Sequence, residues 1–150
     1  KLDDDREVED LQKLARELGI SDRVQFWGAR PQEELPMIYS ATDATVIPSY
    51  HESFGLVAVE SLACGTPVVG TRAGGLTTII KNGKTGYLVP RCPGFFAERL
   101  DTLLRDRDLL ERMRLAARPS VQRFSWKSVA DQVSTVYQEM VCESAQLVAQ

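Results

Sequence analysis

"DATVIPSYHESFGLVAVESLACGTPVVGT" occupies residues 43–71, and its reading decides the fold. "DATVIP" (43–48) is a short run with β-branched residues that ends at a proline, the pattern of a strand. "TPVVGT" (66–71) is a second such run. Between them the chain is small or apolar at nearly every position from Gly55 to Cys64, which predicts a helix starting near Phe54-Gly55 and stopping at Cys64-Gly65. Ser53 is placed to cap it. Strand, helix and strand at this spacing make a βαβ unit, so the two strands are expected side by side and parallel.

The same alternation extends outward. Val8, Leu11, Leu14, Ala15 and Leu18 recur at helical spacing within Arg6–Leu18, with Gly19 as a stop. "RVQFWG" (23–28) reads as a short strand closed by glycine. "PQEELPMIYSAT" opens with Pro31 and two acids, suited to a helix start, and Pro36 keeps that helix short. "GGLTTIIKNG" gives a tight loop and a short helix, and "KTGYLVP" a last short strand. Two or three helices follow, the last from about Trp126. The expected fold class is α/β: a Rossmann-like parallel sheet with helices on both faces, in a single domain over 1–150.

Composition narrows the function. With 43% hydrophobic and 26% charged residues the chain is that of a soluble globular protein. A net charge of -3 argues against a nucleic-acid surface. No apolar run approaches the ~18 residues of a membrane span. Cys64, Cys92 and Cys142 show no metal-type or redox-type pairing, which suits reduced thiols in the cytoplasm. The chain begins with Lys1 and shows no signal-peptide pattern, as expected of a fragment or a processed piece.

A parallel sheet of this kind sends every strand-to-helix loop to its carboxyl edge, where ligands bind. The loops Gly28–Pro31, Ser49–Gly55 and Thr71–Leu76 are therefore expected to meet at one cleft. A helix starting near Phe54-Gly55 would aim unpaired N–H groups and a positive dipole end there, and Gly55 would let a ligand approach the backbone. Glu60 lies within about two turns of that helix start, in a segment otherwise fit for burial. An unpaired buried carboxylate costs several kcal/mol, so it needs a reason. It can accept two hydrogen bonds from a ribose diol; alternatively it belongs to a solvated stripe or pairs with an arginine. Glu52, in the loop, has a plainer alternative as an exposed acid.

Taken together, "PSYHESFGLVAVESLACGTPVV…AGGL" resembles the retaining glycosyltransferases of family four, which have the two-Rossmann-domain GT-B fold. Their E-x7-E signature is met by Glu52 and Glu60, followed by "ACGTPVV" and the pair Gly74-Gly75. "LGISDRVQFWGARPQEELPMIYSATD", "NGKTGYLVP" and "FSW" fit as flanks. Within the family the chain looks closest to the D-inositol-3-phosphate glycosyltransferase and sucrose-phosphate synthase-like branch.

The resemblance implies a C-terminal domain that binds a nucleotide-diphosphate sugar, a UDP-sugar by preference, with no cofactor and no metal. Glu52 would hold the hydroxyls of the reacting donor sugar, with Ser53 and the N–H groups of Phe54 and Gly55 beside it. Leu56 and Val57 would offer N–H groups to the diphosphate, and Glu60 would take the ribose hydroxyls. The backbone near Ala29 and Arg30 would sit against the base. Gly74 and Gly75 would keep the third loop low beside the site. The family's arginine and lysine strand and its N-terminal acceptor domain have no counterpart before Arg6, so the GT-B half would lack its first strands. The chain is accordingly expected to transfer no sugar alone, while the full-length enzyme is compatible with peripheral membrane association. His51 is either a plain loop residue or lines the sugar site, and is not read as a catalytic base. A sugar-nucleotide epimerase of the same fold, or a non-catalytic α/β binding module, remain the alternatives.

Overall fold

The structure is a computed structural model that describes residues 2–148, with side chains described for 6–141. The chain divides into two compact units, Lys1–Glu34 and Leu35–Gln150. The first holds α1 (Leu2–Glu17) and a 3-10 turn at Ser21–Arg23. Gly19, at φ +66°, ends α1 where the sequence places the stop, with its N–H donating to the Arg16 carbonyl. Ala15 is buried, whereas Leu11, Leu14 and Leu18 remain exposed.

"RVQFWG" is not a strand. Val24 has extended dihedrals (φ -117°, ψ 128°), but the segment pairs with nothing among the described residues. High β-propensity makes a strand only where a neighbour accepts and returns the ladder hydrogen bonds.

The second unit is built on a three-stranded sheet of β1 (Thr45–Ile47), β2 (Val68–Thr71) and β3 (Gly86–Val89), in the order β1-β2-β3. Both pairings are parallel, with Val46 opposite Val69 and Val69 opposite Tyr87. β1 and β2 are joined by α3 (Leu56–Ala63), as the sequence predicts. α2 (Leu35–Ala41) precedes the sheet and is short, with Pro36 in its first turn. α4 (Leu76–Ile79), α5 (Pro93–Arg105), α6 (Arg107–Val121) and α7 (Trp126–Val148) follow.

All four residues of β2 are buried, as expected of a central parallel strand covered on both sides. The alternation of side chains along it divides the core in two. Val68 packs with Ile47, Ala58, Leu62, Leu76 and Ile79, so α3 and α4 cover one face. Val69 packs with Val89, Phe96, Leu103, Leu110 and Met113, so α5 and the start of α6 cover the other. α6 serves both: Ala117 and Val121, two turns further on, belong to the first cluster. Cys64 is half-buried and Cys92 exposed, both with free thiols, while the side chain of Cys142 lies outside the described residues.

A loop interlock at the carboxyl edge of the sheet

The loops after β1 and β2 meet, and glycine is the reason they can. Gly75 N–H donates to the Glu52 carbonyl oxygen at 2.9 Å. A Cβ on Gly74 would collide with that same carbonyl, and one on Gly75 would collide with the carbonyl of Phe54. The double glycine is thus a backbone-on-backbone contact. Thr71 Oγ1 donates to the Ser49 carbonyl (2.7 Å), and Arg91 Nε, just past β3, donates to the Pro48 carbonyl (2.8 Å). The Arg91 guanidinium also lies over the Tyr50 ring, 3.1 Å from its centroid. Phe54 is held by an edge-on contact with Phe124, centroids 5.5 Å apart. The β1–α3 loop is therefore fixed at Pro48, Ser49, Tyr50, Glu52 and Phe54 before any ligand arrives.

Ser53 does not cap α3. The N-cap is Gly55 at φ +92°, a left-handed conformation that disfavours a side chain, and Ser53 is exposed. Glu52 takes over part of the capping, since its Oε1 accepts the Gly55 N–H at 3.0 Å. Gly55 itself is buried, and a Cβ there would press on Ile79 and Leu76. Its glycine therefore serves the turn and the core. The next two N–H groups, of Leu56 and Val57, find no acceptor among the described residues, as the first turn of a helix requires. Leu56 and Val57 are 62% and 44% exposed, so α3 is not the fully buried helix its composition suggests.

Glu60, one turn further along α3, is half-buried. It is neither in a solvated stripe nor paired with an arginine: its Oε2 accepts a hydrogen bond from the Tyr39 hydroxyl at 3.1 Å. Burial, and then the negative charge of Glu60, push the Tyr39 phenol up to about 12. Sequence reading passed over Tyr39, whose partner stands 21 residues away on another helix. The only hint was its presence in the "MIYSATD" flank.

The remaining candidates are less tied together. His51 is exposed, with no partner among the described residues. Ala29 and Arg30 belong to the first unit, where Arg30 lies over the Trp27 ring (5.5 Å) and 3.9 Å from Glu34. An apolar groove of about 440 Å³ opens between Pro48, Arg91 and the first turns of α5, but neither Glu52 nor Glu60 lines it. Among the described residues no cluster could hold a metal ion, and no helix is long and apolar enough to cross a membrane.

Solved structures of GT-B glycosyltransferases superpose on this parallel sheet and its flanking helices. Sucrose-phosphate synthase from Thermosynechococcus elongatus does so with a TM-score of 0.82 and 35% identity, over 92% of this chain and 35% of that one. HepE from Anabaena, in complex with UDP and glucose, gives 0.84 and 27%, over 93% and 38%. The chain belongs to the family of glycosyl transferases group 1, whose model matches residues 3–119. A D-inositol 3-phosphate glycosyltransferase from Corynebacterium jeikeium is 47% identical over 135 residues, 89% of this chain. The chain spans about a third of the length of that relative. Family membership favours the transferase over the epimerase and the binding module.

Proposed function

We propose that these 150 residues are the C-terminal, donor-binding domain of a longer retaining glycosyltransferase of the cytoplasm. Its substrates would be a UDP-sugar and an inositol phosphate acceptor. The observation that carries the reading is the pair of acids flanking the unpaired N–H groups of Leu56 and Val57. Those N–H groups and the positive end of α3 face a site where a diphosphate gains most from them. The relatives' names supply the acceptor class, and the UDP in the HepE complex supplies the donor class.

In this reading Glu60 accepts hydrogen bonds from the ribose diol through its unoccupied Oε1. Glu52 holds the hydroxyls of the reacting sugar with Oε2, because its Oε1 is already engaged by Gly55. Ser53 and the Phe54 N–H lie beside it. Gly74 and Gly75 matter by letting the third loop brace the Glu52 and Phe54 carbonyls. As the donor bond breaks, charge builds on the leaving diphosphate, and fixed N–H dipoles stabilise it with no reorganisation. The cations and the acceptor site would come from the rest of the protein.

The longer protein, given UDP-glucose or another UDP-sugar and D-inositol 3-phosphate, should form a glycoside whose anomeric configuration by proton NMR matches that of the donor. The 150-residue chain alone should form none. An inverted product would refute retention, and transfer by the short chain would refute the division of labour.

A further inference from the structure

Glu60 is held by a neutral donor, and that donor is itself fixed from behind. The Tyr39 carbonyl accepts from Thr66 Oγ1 at 2.6 Å and from Thr42 Oγ1 at 2.9 Å. Thr66 is 1% exposed and sits just past the end of α3. Its own carbonyl accepts from the fully buried Ser61 hydroxyl (2.9 Å), which lies 2.8 Å from Thr45 Oγ1 on β1. Ser61 is the neighbour of Glu60. The chain of hydroxyls therefore ties the backbone of Tyr39 to the backbone of Glu60 and to the sheet, so the phenol reaches Oε2 from a fixed base.

We propose that Tyr39 is a positioning residue for Glu60, orienting its carboxylate for a vicinal diol; the proposal rests on the reading of Glu60 as the ribose clamp. A free glutamate must lose side-chain rotamer freedom when a ligand arrives, and a hydrogen bond made beforehand removes much of that cost. The kind of donor matters as well. A lysine or arginine would neutralise the carboxylate and compete with the diol for its lone pairs. No described cation pairs with Glu60, and the phenol occupies one oxygen while leaving the negative charge in place. Oε1, with no protein donor among the described residues, is the atom left for the ligand. The raised phenol pKa keeps Tyr39 a donor across the whole working pH range.

The test uses the full-length protein and two probes, UDP and its 2′,3′-dideoxy analogue, titrated into wild type and Tyr39→Phe. Removing the hydroxyl should weaken UDP about three- to tenfold, the range for one hydrogen bond. It should change dideoxy-UDP less than about twofold, because that probe has no diol for Glu60 to meet. An equal loss for both probes would make Tyr39 a general structural residue and overturn the proposal, as would no loss for either. Wild-type protein that binds both probes equally would instead overturn the ribose-clamp reading itself, and the proposal with it. Thermal melts of both proteins show whether the variant is folded. If Tyr39→Phe fails to fold, Thr66→Val, which removes the hydroxyl behind Tyr39 at nearly constant shape, should lower the ratio of the two probes; an unchanged ratio in that folded variant would overturn the proposal.

Discussion

Replacing Gly74 by alanine tests the interlock that holds the Glu52 loop. The new Cβ falls on the Glu52 carbonyl oxygen, a backbone atom that cannot swing aside as a side-chain end can. The residue also sits at φ +41°, where an L side chain costs about 1 kcal/mol. Relieving the collision moves the Glu52 carbonyl away from the Gly75 N–H, losing a 2.9 Å hydrogen bond worth about 1 kcal/mol. With some loss of packing around Gly55, the total comes to roughly 2–4 kcal/mol. For a chain of this size that lowers Tm by about 5–15 °C. Two other glycines separate the contributions. Gly83 has φ +76° and open space at its Cβ position, so Gly83→Ala isolates backbone strain at about 1 kcal/mol. Gly94 lies in the first turn of α5 with open space and an ordinary φ, so Gly94→Ala should be neutral or stabilise by up to about 1 kcal/mol. Urea melts of the three variants rank them. A Gly74→Ala variant no less stable than Gly83→Ala would refute the interlock.

Tyr39 titrates near 12 in the folded protein against 10.0 for a free phenol, so its protonated form is the stabilised one. That contribution is complete below about pH 10 and is lost as pH rises through about 12; a late-ionising phenol in an ultraviolet titration should vanish in Tyr39→Phe. For the Phe54–Phe124 pair, a double-mutant cycle with leucine at each position should give a coupling of about 0.5–1.5 kcal/mol, and a coupling near zero would show that "FSW" does not brace the site loop.

Residues 43–71 were legible because every local signal agreed. β-Branched runs, an apolar helix-length segment and a closing Cys64-Gly65 all point to strand, helix and strand. The same rules failed on "RVQFWG", where propensity was present and a pairing partner was not. Ser53 was a reasonable cap from residue type alone. Gly55 in a left-handed conformation, with Glu52 folded back on it, moves the cap two residues along from Ser53, while the helix starts close to where the sequence places it. Tyr39 was the largest omission. Its bond to Glu60 exists because α2 packs on α3, a tertiary event that no periodicity along the chain encodes. Likewise the double glycine stands out in the sequence as a motif, but its collision partners, the carbonyls of Glu52 and Phe54, become visible only when the two loops are brought together.

Titrating UDP into wild-type and Glu60→Gln full-length protein tests the Glu60 clamp most directly. The amide keeps the shape while weakening two charge-assisted hydrogen bonds of about 1.5–3 kcal/mol each. Affinity for UDP should fall at least about tenfold, since 1.4 kcal/mol is one decade, while the ligand-free melting temperature holds or rises. Unchanged affinity alongside a lowered melting temperature would mean that Glu60 serves only its bond to Tyr39, and would contradict the clamp.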